Sequence, residues 1–399
     1  MTSSILIINA GSSSLKFALY EAAPLRLGPL RLRGEFAGIG STLGFKAHDG
    51  EGHPILHALE VSKIAPGSHE AVLAALLVWM RHCVPDAQNL IAVGHRIVHG
   101  GESYDGAVRI DEKVLDDLAA LVPLARLHQP FGLTAVHAIR KHDPKLLQVG
   151  CFDTAFHRTL PDVARRYALP RALTESGIRR YGFHGLSYDY IAGELARLMN
   201  NFTRSRVVAA HLGSGSSLCA MHGGCSVATT MGFTPLDGLV MGTRPGSIDP
   251  GILLYLLQER GMSVDALSHM LNRECGLLGM SGATADMKVL LDSDSPAAHD
   301  AVDSYVHAVV KEIGALAACL GGLDALVFTA GIGERAAAIR TRISERLEWF
   351  GVRIDRQAND MHARRIDTSD SRVLVYVIPT NEELVIARET YRLASTQTV

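Results

Sequence analysis

The residues in this sequence that could do chemistry sit in three glycine-rich turns and a small set of charged positions. Asn9–Phe17, NAGSSSLKF, follows the apolar run Ile5–Ile8. His211–Ser217, HLGSGSS, follows Arg206–Leu212, and Thr329–Glu334, TAGIGE, closes Ala325–Thr329. Small residues in such turns expose backbone N–H groups to phosphate oxygens, and Lys16 adds a positive charge to the first. That turn is not a P-loop: the GxxxxGK[ST] spacing is absent and a strand, not a helix, is expected after it. In the third, a strand end, a Gly-Ile-Gly turn and a helix would bring free N–H groups and the positive helix end to a ligand. Each turn alone is equally an ordinary connector, because Gly and Ser are common turn residues. A nucleotide cradled between two domains accounts for all three.

Two arginines lie in glycine-rich surroundings poor in acids: Arg96 in GHRIVHGG (94–101) and Arg244 in MGTRPGSIDP (241–250). Arginine suits planar recognition of carboxylate or phosphate, although most arginines end in surface salt bridges. Asp153, in CFDTAFH, is expected at the carboxyl end of a buried strand, and His184 lies between Gly182 and Gly185 in YGFHGLS. Glu382 and Glu383 open a helix in PTNEELVIA, where Asn381 caps and the acids complement the dipole. The 18 histidines show no metal-ligand spacing; His95 and His99 flank a strand, so their spacing does not align them for zinc.

The elements that must position these groups alternate between strand-length apolar runs and amphipathic helices, which argues α/β architecture. Strands are expected at Ile5–Ile8, Lys16–Tyr20, Leu146–Phe152, Arg206–Leu212, Ala325–Thr329 and Arg372–Ile378. Helices are expected at Glu70–Cys83, Phe131–His142, Tyr188–Met199, Pro250–Glu259, Ala297–Leu320 and Ala336–Phe350, the last stopped by Gly351. GSSSL at Gly11–Leu15 returns as GSGSSL at Gly213–Leu218, half a chain away, each copy between strand candidates. With 399 residues, too many for one core, this favours a duplicated domain. A formal net charge of −2 gives no electrostatic reason to expect nucleic acid or an anionic membrane as partner. No apolar run approaches a membrane span, and the N-terminus has no signal-peptide pattern. The six cysteines form no CxxC pair, so a reducing, cytoplasmic setting is expected.

Taken together, the chain resembles the acetate kinase family, whose superfamily includes sugar kinases, actin and ATP-driven heat-shock chaperones. The resemblance is carried in order by NAGSSSLKF, GHRIVHGG, FDTAFH, RRYGFHG, MGFTPLDGLVMGTR, GLLGMSG, VFTAGIGE and PTNEELVIARET. It implies two duplicated actin-like (ribonuclease H-like) domains with a nucleotide cleft between them: residues 1–152 joined by a terminal helix 385–399, and 153–384. It also implies reversible in-line transfer of the ATP γ-phosphoryl group to acetate, giving acetyl phosphate and ADP, with Mg²⁺ or Mn²⁺, in a homodimer. By the same resemblance Asn9 and Glu382 are metal-side residues, and Asp153, His184 and Arg244 are catalytic. Arg96, Val98, Leu127, Phe183 and Pro235 match the substrate site, the last four as its methyl pocket. Lys16, the run His211, Leu212, Gly213, Ser214 and Gly215, the run Asp286, Met287 and Lys288, and the run Gly331, Ile332, Gly333, Glu334 and Arg335 match the nucleotide site.

The chain departs from the family's usual pattern at Ser214 and Gln129, where asparagine is usual, at Pro245 and Ser247 in TRPGSID, at Lys288 for arginine and at Arg335 for asparagine. Most of these concern the nucleotide side. Acetate is ionised at neutral pH, so the nucleophile needs no general base. An orienting role suits Asp153 better than proton abstraction. Alternatives are a propionate or other short-chain acyl kinase, and a non-catalytic ATP-binding module of the actin or chaperone kind. A module of that kind has no need of a carboxylate clamp such as Arg96.

Overall fold

The computed structural model describes residues 3–55, 59, 61–65, 67–83 and 89–396. The ends of the expected domains, residues 1–2 and 397–399, lie outside the described residues. The chain forms two compact units, Met1–Phe156 with Asn381–Val399, and His157–Thr380. The sequence reading set the limits at 152 and 384 and joined the terminal helix, 385–399, to the first domain. Thr154 stays with the first unit by accepting the Gly100 N–H at 3.1 Å, and Asn381 stays with the helix it caps.

The first unit is built on seven strands: β1 (Ser3–Ala10), β2 (Ser14–Ala23), β3 (Arg26–Ala37), β4 (Gly44–Asp49), β5 (Leu90–Ile97), β6 (Val108–Arg109) and β7 (Leu147–Phe152), in the order β4-β3-β2-β1-β5-β7-β6. The run Ile5–Ile8 is buried on both faces, as its unbroken apolar character requires. Leu6 and Ile8 join a core with Leu73, Leu76 and Trp79 of helix His69–Cys83 and Ala135 and Ile139 of helix Gln129–His142. Helix Glu382–Ser395 packs on the other face, and Gly94 admits it: an added Cβ would meet Thr390 Oγ1 at 2.2 Å and Ile386 at 2.7 Å.

The second unit carries β8 (Arg206–Leu212), β9 (Ser216–His222), β10 (Cys225–Thr229), β11 (Ala325–Thr329) and β12 (Leu374–Val377), in the order β10-β9-β8-β11-β12. Helix Pro296–Leu320 buries Tyr305, Val306, Val309 and Ile313 in a core with Val208, Ala210, Leu218 and Phe328. The order β3-β2-β1-β5-β7 in the first unit matches it strand for strand. In each unit two antiparallel pairings are followed by two parallel ones. The fold is therefore a duplicated α/β fold. The two GS(G)SSL turns occupy equivalent places, β1–β2 and β8–β9.

Two elements differ from the sequence reading. Residues Ala330–Arg335 are themselves helical, so Gly-Ile-Gly is a helical turn and not a loop; the break falls before it, at Ala330 with φ 64°. The expected helix Ala336–Phe350 ends at Glu345 and is followed by a 3₁₀ turn, Glu348–Phe350, closed by Gly351 at φ 99°. Strands β3, β4, β6 and β10 were not expected; the Gly and Pro inside β3 blur its alternation.

Candidate active site

In the first unit, parallel pairing of β1, β5 and β7 brings three polar residues together at adjacent carboxyl ends, where open α/β sheets hold ligands. They are Asn9 in β1, Arg96 in β5 and Asp153 just beyond β7. Arg96 donates to Asp153 through Nη2 at 2.6 Å and Nε at 3.1 Å, and to Asn9 Oδ1 through Nη1 at 3.2 Å. Asp153 is 1% exposed, so the pair is a shielded, charge-assisted fork. Burial alone would lower the Arg96 pKa, but Asp153 and Glu382 outweigh it and hold the guanidinium charged.

Glu382 opens helix Glu382–Ser395, whose cap Asn381 accepts the Leu384 N–H at 3.0 Å. Burial pushes its carboxyl up to about 7; Asp153 and Glu383 add to the shift, while Arg96 and Lys16 oppose it. Among the described residues no group of three or more His, Cys, Asp or Glu side chains is placed to hold a metal ion. Lys16 stands across β1–β2 from Asn9. Val98 is buried and Leu127 is 36% exposed; both belong to this unit. Gln129, a departure from the usual asparagine, is buried and clasps His99, accepting its N–H at 3.1 Å and donating to its carbonyl at 3.0 Å.

In the second unit, His184 caps helix Gly185–Leu198 in the left-handed region, φ 60°. A non-glycine residue there is strained by roughly 1–3 kcal/mol and must be held by its surroundings. Its ring stacks on His211 at 4.0 Å, and its Nδ1 meets Ser217 Oγ at 2.8 Å. Arg244 donates to the Pro235 carbonyl at 2.7 Å. Among the described residues no carboxylate pairs with Arg244; burial, then the neighbouring Arg273, push its pKa down to about 10. Both side chains converge on one point. An added Cβ on Gly215 would fall 2.7 Å from Arg244 Nη2 and 3.4 Å from His184 Nε2. A guanidinium short of counter-charge and an imidazole, aimed at a glycine turn, make an anion site. Phe183 is buried beside them, and its carbonyl accepts His157 Nε2–H at 2.9 Å.

The turn Gly213–Gly215 is joined by the other expected nucleotide segments. Gly242 donates its N–H to the Ser214 carbonyl at 3.0 Å, and Leu278 donates to the Gly242 carbonyl at 2.9 Å, so GLLGMSG braces the Arg244 loop. Ala330 and Gly331 lie beside Gly213, and Ala285, next to Asp286, lies beside Gly242. Asp286 caps its short helix through the Lys288 N–H at 2.9 Å. Leu212 and Met287 point into the core, which leaves only their backbone to meet a ligand.

Sequence reasoning missed three supports. Tyr188 and Ser217 form a chain behind His184, their oxygens 2.5 Å apart. Arg340, 0% exposed, donates to the Gly333 and Glu334 carbonyls at 2.9 Å and to Asn359 Oδ1 at 2.6 Å, pinning the end of helix Ala330–Arg335. Ser217 lay within the recurring turn, which was a signal; nothing local marked Tyr188 or Arg340.

Comparison with known proteins bears on the whole chain. The family model described as "Acetokinase family" matches residues 4–388. A curated acetate kinase of Rhodopseudomonas palustris (strain TIE-1) is 48% identical over 400 residues, covering 99% of each chain. Among solved structures, a propionate kinase from Francisella tularensis subsp. tularensis SCHU S4 aligns with a TM-score of 0.89 at 38% identity, covering 98% of this chain and 99% of its own. The Porphyromonas gingivalis acetate kinase aligns at 0.86 with 34% identity and the same coverage.

Proposed function

The chain belongs to the acetokinase family, and from that premise we propose that it transfers the γ-phosphoryl group of ATP reversibly to acetate, giving acetyl phosphate and ADP. The observation that carries this reading is the convergence of Arg244 and His184 on Gly215, with no carboxylate among the described residues paired to the arginine.

The obstacle is repulsion, because an anion must attack a phosphoryl group that is already negative. Arg244 and His184 donate to the equatorial oxygens of the transferring group. An arginine so placed contributes a factor of about 10³–10⁵. Arg96 binds the acetate carboxylate. Three of its five N–H groups are engaged by Asp153 and Asn9, leaving two for substrate. Asp153 holds that fork in place and abstracts no proton. The backbone of Gly213–Gly215 and Gly331–Gly333 faces the nucleotide phosphates. Asn9 and Glu382 carry hard oxygen donors of the kind that would hold a divalent cation. When bound there, Mg²⁺ supplies charge neutralisation on the phosphates.

Val98, Leu127, Phe183 and Pro235 serve the acid's alkyl end, and valine at 98 favours acetate. One methylene is worth only about 1–3 kcal/mol, so propionate is accepted less well. Trapping acyl phosphate as hydroxamate, with ATP and each short-chain acid, tests this. Acetate is expected to give the highest kcat/KM, propionate less and butyrate least. A butyrate preference overturns the pocket assignment, and no acyl phosphate with any acid returns the chain to a binding module.

The reading extends to a cytoplasmic homodimer. None of the six cysteines forms a disulfide, which suits a reducing compartment. Among the described residues no helix is long and apolar enough to cross a membrane. Helix Pro250–Gln258, sequence PGILLYLLQ, has no buried residue and leaves Ile252, Leu254 and Tyr255 half exposed, a surface suited to a second copy.

A further inference from the structure

His184 meets the phosphoryl group usefully only if Nε2 carries a hydrogen. The other neutral tautomer would turn a lone pair toward the anionic oxygens. What lies behind the ring decides between them. Tyr188, one turn further along the same helix, is fully buried. Its phenol is a stronger acid, and so a better donor, than the aliphatic hydroxyl of serine, so the hydroxyl hydrogen turns to Ser217 Oγ, 2.5 Å away. Ser217, paired with His211 across β8–β9 and 0% exposed, then donates its own hydrogen to His184 Nδ1 at 2.8 Å. Nδ1 is thereby an acceptor, and the ring's one hydrogen sits on Nε2, the atom that faces Gly215 beside Arg244.

We propose that Tyr188 and Ser217 are positioning residues: their relay, Tyr188 O–H to Ser217 O–H to His184 Nδ1, locks His184 as an Nε2–H donor toward the transferring phosphoryl group. The left-handed backbone at His184 and the stack on His211 fix the ring plane, and the relay fixes the proton. The inference rests on the phosphotransfer reading above.

The test pairs ring-nitrogen NMR of the full-length protein, labelled on histidine, with steady-state kinetics. The His184 signal is assigned by its loss in His184→Gln. The wild type at neutral pH is expected to show the Nε2–H tautomer. Ser217→Ala is expected to shift it toward a mixture and to lower kcat about 10- to 100-fold, with KM for ATP and acetate changed less than about twofold. Tyr188→Phe keeps the ring's shape, removes the first donor and is expected to move both readouts the same way; it serves if Ser217→Ala does not fold. A wild-type His184 with its hydrogen on Nδ1 overturns the proposal, as does unchanged kcat in folded Ser217→Ala or Tyr188→Phe. A wild type that makes no acyl phosphate counts against the phosphotransfer reading, while the tautomer measurement still decides the relay.

Discussion

Both carboxylate oxygens of Asp153 face Arg96, so the charge that positions the substrate arginine is itself positioned. Asp153→Asn keeps the shape but loses the charge-assisted fork. KM for acetate is expected to rise about tenfold or more, while KM for ATP changes little; an unchanged KM for acetate contradicts the orienting role. Three buried histidines make a second prediction. Burial pushes His95, His99 and His157 down to about 4 from the ordinary 6.5. Between those values the unfolded chain binds protons that the folded one refuses. Stability therefore falls as pH drops from about 6.5 toward 4, by up to about 1.4 kcal/mol per pH unit for each histidine. Thermal midpoints across that range should decline less steeply in His157→Gln than in the wild type, and equal slopes contradict the assignment. Asn9, Arg96 and Asp153 were legible in sequence because polar residues closing apolar runs stand out. Tyr188 and Arg340 were not legible as working residues, because Ser217 and Asn359, which they bond, lie 29 and 19 residues away and only folding joins them.

Strand-and-turn units were the most legible elements, since unbroken apolar runs and glycine turns mark them. Helix Ala330–Arg335 was not, because its glycines argue against a helix while tertiary contacts to Arg340 impose one. The helix expected at Pro250–Glu259 is present as Pro250–Gln258, and the structure leaves its apolar residues on the surface. At this scale the prediction concerns assembly. Sedimentation should give a species of twice the 42.9 kDa chain mass, and Leu254→Asp should shift it toward monomer. A monomeric wild type contradicts the use of this helix as an interface.

Across the whole molecule, the recurring GS(G)SSL turn pointed to a duplication that the matched strand orders now show. The two copies differ in what they carry. The first unit gathers Asn9, Arg96, Asp153 and Glu382. The second brings His184 and Arg244 to the Gly213–Gly215 turn, which carries the Ser214 departure. Under the proposed function, one copy of the duplicated fold serves the acceptor and the other the phosphoryl donor. Under the same reading Arg244 stabilises charge only as the phosphoryl group moves. The direct measurement is kcat and KM for ATP of Arg244→Ala in the acyl-phosphate assay. A fall in kcat of about 10³-fold or more, with KM for ATP nearly unchanged, is predicted; a preserved turnover number contradicts the account.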